Sequence, residues 1–114
     1  MEKITENFSR EEFVCKCGCG LMAINPAIVQ RLQVIRDIVG KPISILSGYR
    51  CKKHNEEVGG AKESQHMMGN AVDFNIEEHS MGHLAIMLDK WSGGFHFYQS
   101  ENFIHIDIGL RRRW

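Results

Sequence analysis

The chain is organised around residues 47–73, which read SGYRCKKHNEEVGGAKESQHMMGNAVD. His66 and Asp73 stand seven positions apart in this stretch, with a glycine between them. The run that contains Asp73 alternates as a half-buried strand does, which places Asp73 on the face opposite Val72 and Phe74. The pattern therefore predicts a strand that presents one carboxylate close to a loop that presents one imidazole.

A second alternating run, FIHIDI at residues 103–108, places His105 and Asp107 together on one strand face. Two strands of one sheet can bring His66, Asp73 and His105 to one point. Two imidazoles and one carboxylate are typical of catalytic zinc, which keeps a fourth position open for water. A single histidine or aspartate on a strand is usually a solvated residue, so the predicted zinc site depends on the conjunction of all three.

The combined pattern resembles a known family. Residues 64–73 read Ser-x-His-x-x-Gly-x-Ala-x-Asp, with Ser-Gly-Tyr-Arg at residues 47–50 before them and a His-x-Asp strand after them. This resembles the zinc D-Ala-D-Ala carboxypeptidase family of peptidoglycan peptidases, which shares its fold with the hedgehog signalling domain. The resemblance runs from about Phe8 to Trp114. It implies a Zn²⁺ cofactor and a carboxypeptidase-like metallopeptidase that cleaves a stem or cross-link peptide of peptidoglycan.

Three residues are candidates for binding the substrate. Arg50 is predicted to hold a substrate carboxylate through a bidentate fork, a role that the resemblance also implies, so we include it among the catalytic residues. The alternative is an arginine that bridges its loop to a local acid. Tyr49 lies beside Arg50 at the exit of a predicted strand, a usual place for functional side chains. Ser64 either hydrogen-bonds the substrate or orders its own loop.

Asp107 is predicted to be the general base, because it lies two residues beyond His105 on the same strand face and can approach the attacking water without ligating the metal. In other branches of the resembling family the acid lies a few residues before the last zinc histidine. This chain has Asn102 there, with Glu101 beside it, so Glu101 is the reserve candidate.

The chain has four cysteines, Cys15, Cys17, Cys19 and Cys51. Reduced structural thiols are the leading interpretation, and a second metal site or a bridge to Cys51 remain open. The Cys-x-Cys-x-Cys spacing fits poorly with the two to four residues that usually separate paired zinc cysteines. Disulfides form in oxidising compartments. A weaker hypothesis makes the cluster a redox sensor or thiol-metal site and the histidines incidental.

The length and charge of the chain limit the number of domains and the kinds of partner that we expect. A chain of 114 residues with 43% hydrophobic content predicts one domain, residues 1–114. Fourteen basic residues balance fourteen acidic ones, so no electrostatic argument favours nucleic acid or an acidic membrane. We expect a monomer without nucleic-acid partners or stable membrane association. The basic run at residues 111–113 is interpreted as a solvated tail.

The N-terminal residues lack the pattern of a secretory signal, and no run is long enough to span a bilayer. We therefore expect a protein that is cytoplasmic until it is released by lysis or through a holin pore, and that acts on the bacterial cell wall. Together with the resemblance, this suggests a phage or prophage endolysin.

The predicted order of elements is helix, helix, strand, loop, strand, helix and hairpin. This is an α+β domain with a small, mostly antiparallel sheet that has helices on one face and the zinc site on the other. Ser9 and Glu12 predict a capping box, and Asn25 with Pro26 starts a helix that Gly40 ends.

Three further assignments concern the C-terminal half. Ser80 is expected to cap a helix that presents Leu84, Met87, Leu88 and Trp91 on one face. His79 and His83, near its start, are interpreted as exposed polar residues. His96 shares a face of the hairpin with Tyr98, where it either assists catalysis or is a surface histidine.

A rival function belongs to a different class. Because the hedgehog domain keeps a zinc site in a signalling protein, the chain can also be a non-catalytic, zinc-containing module that binds cell wall or protein. A metal-loaded protein that is inert on purified cell walls would favour the module.

Overall fold

The computed structural model describes residues 2–76 and 81–114. The strands are β1 (Lys3–Thr5), β2 (Phe8–Ser9), β3 (Ile43–Ser47), β4 (Ala71–Ile76), β5 (Gly94–Tyr98), β6 (Phe103–Asp107) and β7 (Arg112–Arg113). The α-helices are α1 (Pro26–Val39), α2 (Lys52–Glu57) and α3 (Met81–Met87), and 3-10 turns span Arg10–Phe13 and Gln65–Met68. The predicted α+β class is confirmed.

The main sheet has the strand order β3-β4-β6-β5-β7. Its first four strands pair antiparallel, and β7 lies parallel to β5. Asp73 on β4 lies directly opposite His105 on β6, and His105 in turn lies opposite His96 on β5. Paired residues on adjacent strands share one face of the sheet, so this register brings the predicted ligands together.

Helix α1 covers the apolar face of the sheet. Asn25 Oδ1 accepts a hydrogen bond from the Ala27 N–H at 3.0 Å, and Gly40 ends the helix with a φ of 72°. This is the predicted start and stop. The buried face of α1 packs with the inward side chains of the sheet, including Ile28, Leu32, Ile35, Val72, Phe74, Ile104 and Ile106. Each such side chain stabilises the fold by about 1.5–3 kcal/mol.

Some elements differ from the prediction. The first helix is only a 3-10 turn, although Glu12 Oε2 accepts from the Ser9 N–H at 2.8 Å as expected of a capping box. The β1–β2 hairpin and β7 were not predicted. Short strands of two or three residues carry too little alternation to be recognised in a sequence.

The helix predicted in the C-terminal half is shorter than its apolar spacing suggested. It ends at Met87, which is 51% exposed and does not share the buried face. Leu88 and Trp91 pack against the core from the segment that follows the helix. His83 is exposed, as expected. The assignments for His79 and Ser80 fall outside the described residues.

One face of the sheet carries the apolar core and the other carries the candidate site, largely as predicted. Helices α1 and α3 contribute to the apolar core, whereas Asp73, His105 and Asp107 lie on the opposite face. Helix α2 is the exception, because its Asn55 contacts Arg50 beside the site. Within the described residues, no helix is both long enough and apolar enough to cross a bilayer.

Candidate metal centre

Three side chains converge on one point at the sheet face opposite α1. One ligand atom each from His66, Asp73 and His105 lies within 4.8 Å of the other two. His66 Nε2 is 3.1 Å from Asp73 Oδ1, and His105 Nδ1 is 2.8 Å from the same oxygen. All three residues are buried, with exposed fractions of 3%, 7% and 7%. The structure therefore brings together the three residues that the sequence singled out.

His66 reaches this point through a tight local turn. Ser64 Oγ accepts from the His66 N–H at 3.2 Å and starts the 3-10 turn. Gly69 ends it with a φ of 73°, and any side chain there would collide with the backbone oxygen of Ala23. The glycine of the His-x-x-Gly pattern is thus required both by its left-handed conformation and by its close neighbour.

The partners of the two histidines define their tautomers. His66 Nδ1 lies 2.8 Å from the Gly48 carbonyl oxygen, so Nδ1 donates and Nε2 keeps its lone pair. His105 Nε2 lies 2.8 Å from Asp107 Oδ2, and Nδ1 lies 2.8 Å from Asp73 Oδ1. When Nε2 donates to Asp107, Nδ1 can offer its lone pair to a metal. An imidazole that donates its second N–H to a carboxylate or a carbonyl is the usual arrangement of a metal-ligating histidine.

These assignments leave three electron-pair donors facing one another. Two imidazole lone pairs and a carboxylate oxygen repel unless a cation lies between them, so the donor set fits a metal ion and suits zinc. Burial by itself would raise the pKa of Asp73, but the contacts with His105 and His66 outweigh it and hold the pKa well below its usual range. Asp73 is therefore ionised, as a carboxylate that holds a metal must be.

Asp107 is held by donors on every side. Its side chain is completely buried; Oδ1 accepts from the N–H groups of Gly94 at 2.9 Å and Gly109 at 3.0 Å. Oδ2 accepts from His105, and from Arg112 Nη2 at 3.2 Å. Burial would raise the pKa of Asp107, yet His105 and the backbone donors lower it to about 2. This close approach needs Gly94, because a Cβ there would collide with the carboxylate.

His105 completes the chain of contacts between the two carboxylates. Burial would lower its pKa, but the hydrogen bonds to Asp107 and Asp73 prevail and raise it. A cation bound at this point would take the place of a proton on His105.

Arg50 is held on three sides within its own loop. Nη2 lies 3.3 Å from Asp73 Oδ2, Nε donates to Ser47 Oγ at 3.1 Å, and Nη1 donates to Asn55 Oδ1 at 3.2 Å. Since Asp73 Oδ1 faces the histidines, Arg50 orients this carboxylate through the other oxygen. The arrangement corresponds to the alternative in which Arg50 bridges its loop to a local acid.

The centre opens into a cleft of about 470 Å³. Its lining includes the three converging residues, Arg50, Ser64 and Asp107, and also Glu63, Gln65, Tyr98, Leu110, Arg112 and Trp114. Of the other predicted site residues in the described part of the chain, Tyr49 and His96 do not line the cleft. Glu101 is exposed in the β5–β6 turn, where Ser100 Oγ donates to it at 2.6 Å.

The C-terminal segment was missed by sequence reasoning. Arg112 bonds Asp107 and lies with its guanidinium 4.5 Å from the centroid of the Trp114 ring. That ring stacks on His96 at 5.2 Å between centroids and meets His105 edge-on at 5.3 Å. Residues 111–114 are exposed, as expected of a solvated tail, but Arg112 and Trp114 also line the cleft. The available signal was a tryptophan beside three arginines, because an arginine can stack on an indole ring, as Arg112 does on Trp114.

Comparison with known proteins is consistent with this geometry. Residues 6–107 match the family described as Peptidase M15, so the chain belongs to that family. The peptidoglycan L,D-endopeptidase MepK of Escherichia coli strain K12 is 34% identical over 102 residues, which cover 82% of this chain and 56% of MepK. The probable peptidoglycan L,D-endopeptidase MepK of Haemophilus influenzae is 30% identical over 100 residues, 80% of this chain and 54% of that protein.

A third relative is named for a different activity. The zinc D-Ala-D-Ala carboxypeptidase of Streptomyces albus G is 46% identical over 66 residues, which cover 57% of this chain and 25% of that protein. The chain thus spans about half the length of the MepK relatives and a quarter of the carboxypeptidase. The family membership expected from the resemblance is confirmed.

Proposed function

We propose that the chain is a zinc-dependent peptidase that hydrolyses peptide bonds of peptidoglycan. The observation that carries the proposal is the convergence of two imidazole lone pairs and one carboxylate at an open cleft, in a member of a peptidase family. Structural zinc sites are closed by four protein ligands, whereas three ligands beside a cleft leave a position for water. The similarity to two MepK proteins, which are peptidoglycan L,D-endopeptidases by name, supports peptidoglycan as the target.

The residues around the centre hold its ligands in place. When bound, zinc supplies an acidified water and polarises the scissile carbonyl. Gly48 O and Asp107 orient the two imidazoles, and Arg50 orients Asp73. This support matters because ligands that are held in position lose little freedom when the metal binds.

We propose that Asp107 acts mainly through His105. Four donors surround its carboxylate, and a pKa of about 2 makes it a weak proton acceptor near neutral pH. To act as the general base predicted from the strand pattern, Asp107 would need an oxygen that contacts the attacking water in addition to these four donors. Glu63 is exposed and lines the cleft, so it is the alternative acceptor of the water's proton.

We propose an internal, endopeptidase-type cut rather than the removal of a C-terminal residue. Three donors of Arg50 already have partners, which leaves this guanidinium poorly disposed to capture a terminal carboxylate. The similarity to two L,D-endopeptidases over four fifths of the chain supports the same choice.

Carboxypeptidase activity is the second candidate. It is favoured by the zinc D-Ala-D-Ala carboxypeptidase relative and by Arg112, whose side chain is 55% exposed and lines the cleft. An exposed guanidinium near the centre can pair with a substrate carboxylate. The predicted roles of Tyr49, Ser64 and His96, a monomeric state and an endolysin-like route to the cell wall stay predictions.

Digestion of purified sacculi tests the function directly. The zinc-loaded protein should release peptide-containing fragments, and mass analysis of the new termini identifies the bond that is cut. Asp73→Ala is the matched control, because it removes one ligand and should release nothing. A zinc-loaded wild type that leaves sacculi intact would favour the non-catalytic binding module instead.

Arg50→Lys separates the two modes of cleavage. Lysine keeps the charge but loses the fork. If Arg50 orients Asp73, turnover should fall equally on a peptide with a free terminal carboxylate and on its amidated counterpart, and zinc should bind more weakly. A selective loss on the free carboxylate, with zinc binding unchanged, would instead support carboxypeptidase activity and the predicted capture role.

A further inference from the structure

The four cysteines gather into one cluster on the loops beside the sheet. Cys15 Sγ lies 3.5 Å from Cys17 Sγ and 3.7 Å from Cys51 Sγ, and the sulfurs of Cys17 and Cys51 are also 3.7 Å apart. With Cys19, all four sulfurs lie within 4.8 Å of one another. The cluster therefore unites residues that stand as many as 36 positions apart.

These separations have a specific chemical meaning. Sulfurs joined in a disulfide lie about 2.05 Å apart. In a tetrahedron of four thiolates around zinc, a Zn–S bond of about 2.3 Å places neighbouring sulfurs about 3.8 Å apart. The observed separations of 3.5 and 3.7 Å lie near the tetrahedral edge and far from a disulfide.

The loop geometry explains how cysteines in the unusual Cys-x-Cys-x-Cys spacing can bind one zinc ion. The Cys15 N–H donates to the Leu21 carbonyl at 2.9 Å, so the intervening residues form a closed loop. Gly18 and Gly20 have φ values of 87° and 79°, which turn the backbone between and after the cysteines. A Cys-x-Cys-x-Cys segment is too short to wrap an ion when extended, but this turning loop collects its three sulfurs on one side.

The fourth ligand comes from a different element. Cys51 immediately precedes α2, and its N–H lies 3.4 Å from Cys15 Sγ. Its own sulfur accepts from the His54 N–H, also at 3.4 Å. Backbone N–H groups aimed at sulfur favour the thiolate form that a metal requires.

We propose that Cys15, Cys17, Cys19 and Cys51 bind a second zinc ion, as a closed four-thiolate structural site separate from the metal centre of the sheet. Four protein ligands leave no position for water, so the site stabilises structure. The ion would join the loop after the first 3-10 turn to the start of α2, beside Arg50. This selects the second-metal alternative over reduced thiols and a bridge to Cys51.

The position of the cluster suggests that the ion would fix the loop that carries Arg50. The Tyr49 N–H donates to the Phe13 carbonyl at 3.0 Å, two residues before Cys15. A metal bond at Cys51 would therefore anchor the segment on the other side of Arg50, the residue that contacts Asp73. Closing loops between distant residues removes conformational entropy from the unfolded chain, which stabilises the folded one.

Metal analysis of the wild-type protein tests this inference without any measurement of hydrolysis. We expect two zinc ions per chain and, in X-ray absorption, a sulfur shell at about 2.3 Å beside a nitrogen and oxygen shell. Cobalt substitution should add thiolate-to-cobalt charge-transfer bands. One zinc without sulfur ligation, a mass that reports a disulfide, or a coloured iron protein would overturn the inference.

Variants assign the second ion to the cluster. Cys17 and Cys19 are both exposed, so Cys17→Ser with Cys19→Ser removes two ligands without opening the core. Zinc should fall from two per chain to one, and the sulfur shell should disappear. Asp73→Ala is the reciprocal control, which should lose the other ion and keep the sulfur shell. Two zinc ions in the double-serine protein would refute the assignment even if the protein proves to be an active peptidase.

Discussion

The metal centre of the sheet and the cysteine cluster differ in what holds their ligands. Asp73 and His105 stand on paired strands, are buried, and contact Arg50 and Asp107 respectively. In the cluster, Cys17 and Cys19 are exposed on a loop, and the sulfurs contact mainly one another. From this difference we expect the centre on the sheet to keep its arrangement without an ion, and the cluster on the loops to depend more strongly on one.

The largest effect is expected from the loss of a ligand in the sheet. Asp73→Ala should reduce peptidoglycan hydrolysis to the background rate, because the centre then lacks its only carboxylate ligand among the three. Fragment release from sacculi measures the rate, and metal content shows whether the ion of the cluster remains. Hydrolysis at the wild-type rate would contradict the assignment of the centre.

Chelation should expose the dependence of the loops on their ion. Removing zinc from the wild type should lower its free energy of unfolding by several kcal/mol, less than the roughly 10–16 kcal/mol that zinc contributes to zinc-finger peptides. Denaturant unfolding with and without chelator measures the change. In the protein with serine at positions 17 and 19 the same treatment should have a clearly smaller effect. An equal effect in both proteins would assign the stabilisation to the sheet centre instead.

Gly94→Ala should test how tightly the sheet centre is packed. A methyl group there collides with the Asp107 carboxylate, and overpacking of this kind costs about 1–3 kcal/mol. Zinc binding should weaken as well, since Asp107 contacts His105. The matched control is Gly82→Ala in α3, where the nearest atom is 3.9 Å away and alanine should stabilise the helix by up to about 1 kcal/mol. Equal unfolding curves for the two variants would disprove the packing argument.

Asp107→Asn distinguishes the two roles proposed for this carboxylate. If Asp107 positions His105, zinc affinity should fall about 10–100-fold, and excess zinc should restore most of the activity. If it is the general base, zinc affinity should hold while activity at saturating zinc falls about 100–10,000-fold. Zinc titration beside kcat measurement separates the two. Glu63→Gln, measured at saturating zinc, should lower kcat only if Glu63 takes the water's proton.

The smallest effect concerns Arg112 in the C-terminal segment. Arg112→Ala removes a partly exposed ion pair with Asp107 and should cost no more than about 1 kcal/mol of stability. Its effect on KM should exceed its effect on kcat, because Arg112 lines the cleft. Arg111→Ala is the control, since the hydrogen bond that Arg111 donates to the Trp91 carbonyl is exposed, and its loss should change the stability by no more than about 0.5 kcal/mol. Identical kinetics for both variants would show that Arg112 does not contribute to substrate binding.

Much of the sheet centre could be predicted because strand alternation is a local property. The alternating runs at residues 71–76 and 103–108 place Asp73 opposite the apolar face of its own strand, and His105 with Asp107 opposite the apolar face of theirs. Helix α1 was equally readable, since its cap and its apolar spacing lie within one segment.

Other features depended on contacts between distant segments. The sequence shows an aspartate near His105 but not the Gly94 and Gly109 donors that surround it, so its predicted use as a base could not be weighed against its burial. The position of Trp114 at the cleft likewise requires β7 to pair with β5, and a strand of two residues is too short to be predicted from the sequence.

By itself, the sequence determined the candidate ligand types, the strand face of each and the family, because each follows from local alternation or from residues at fixed spacing. Only the tertiary structure decided the strand register that opposes Asp73 to His105, the commitment of Arg50 to Asp73, and the meeting of Cys51 with the N-terminal cysteines. The physical reason is that these contacts are set by how the core packs and closes its loops, and neither packing nor loop closure leaves a periodic trace in the chain.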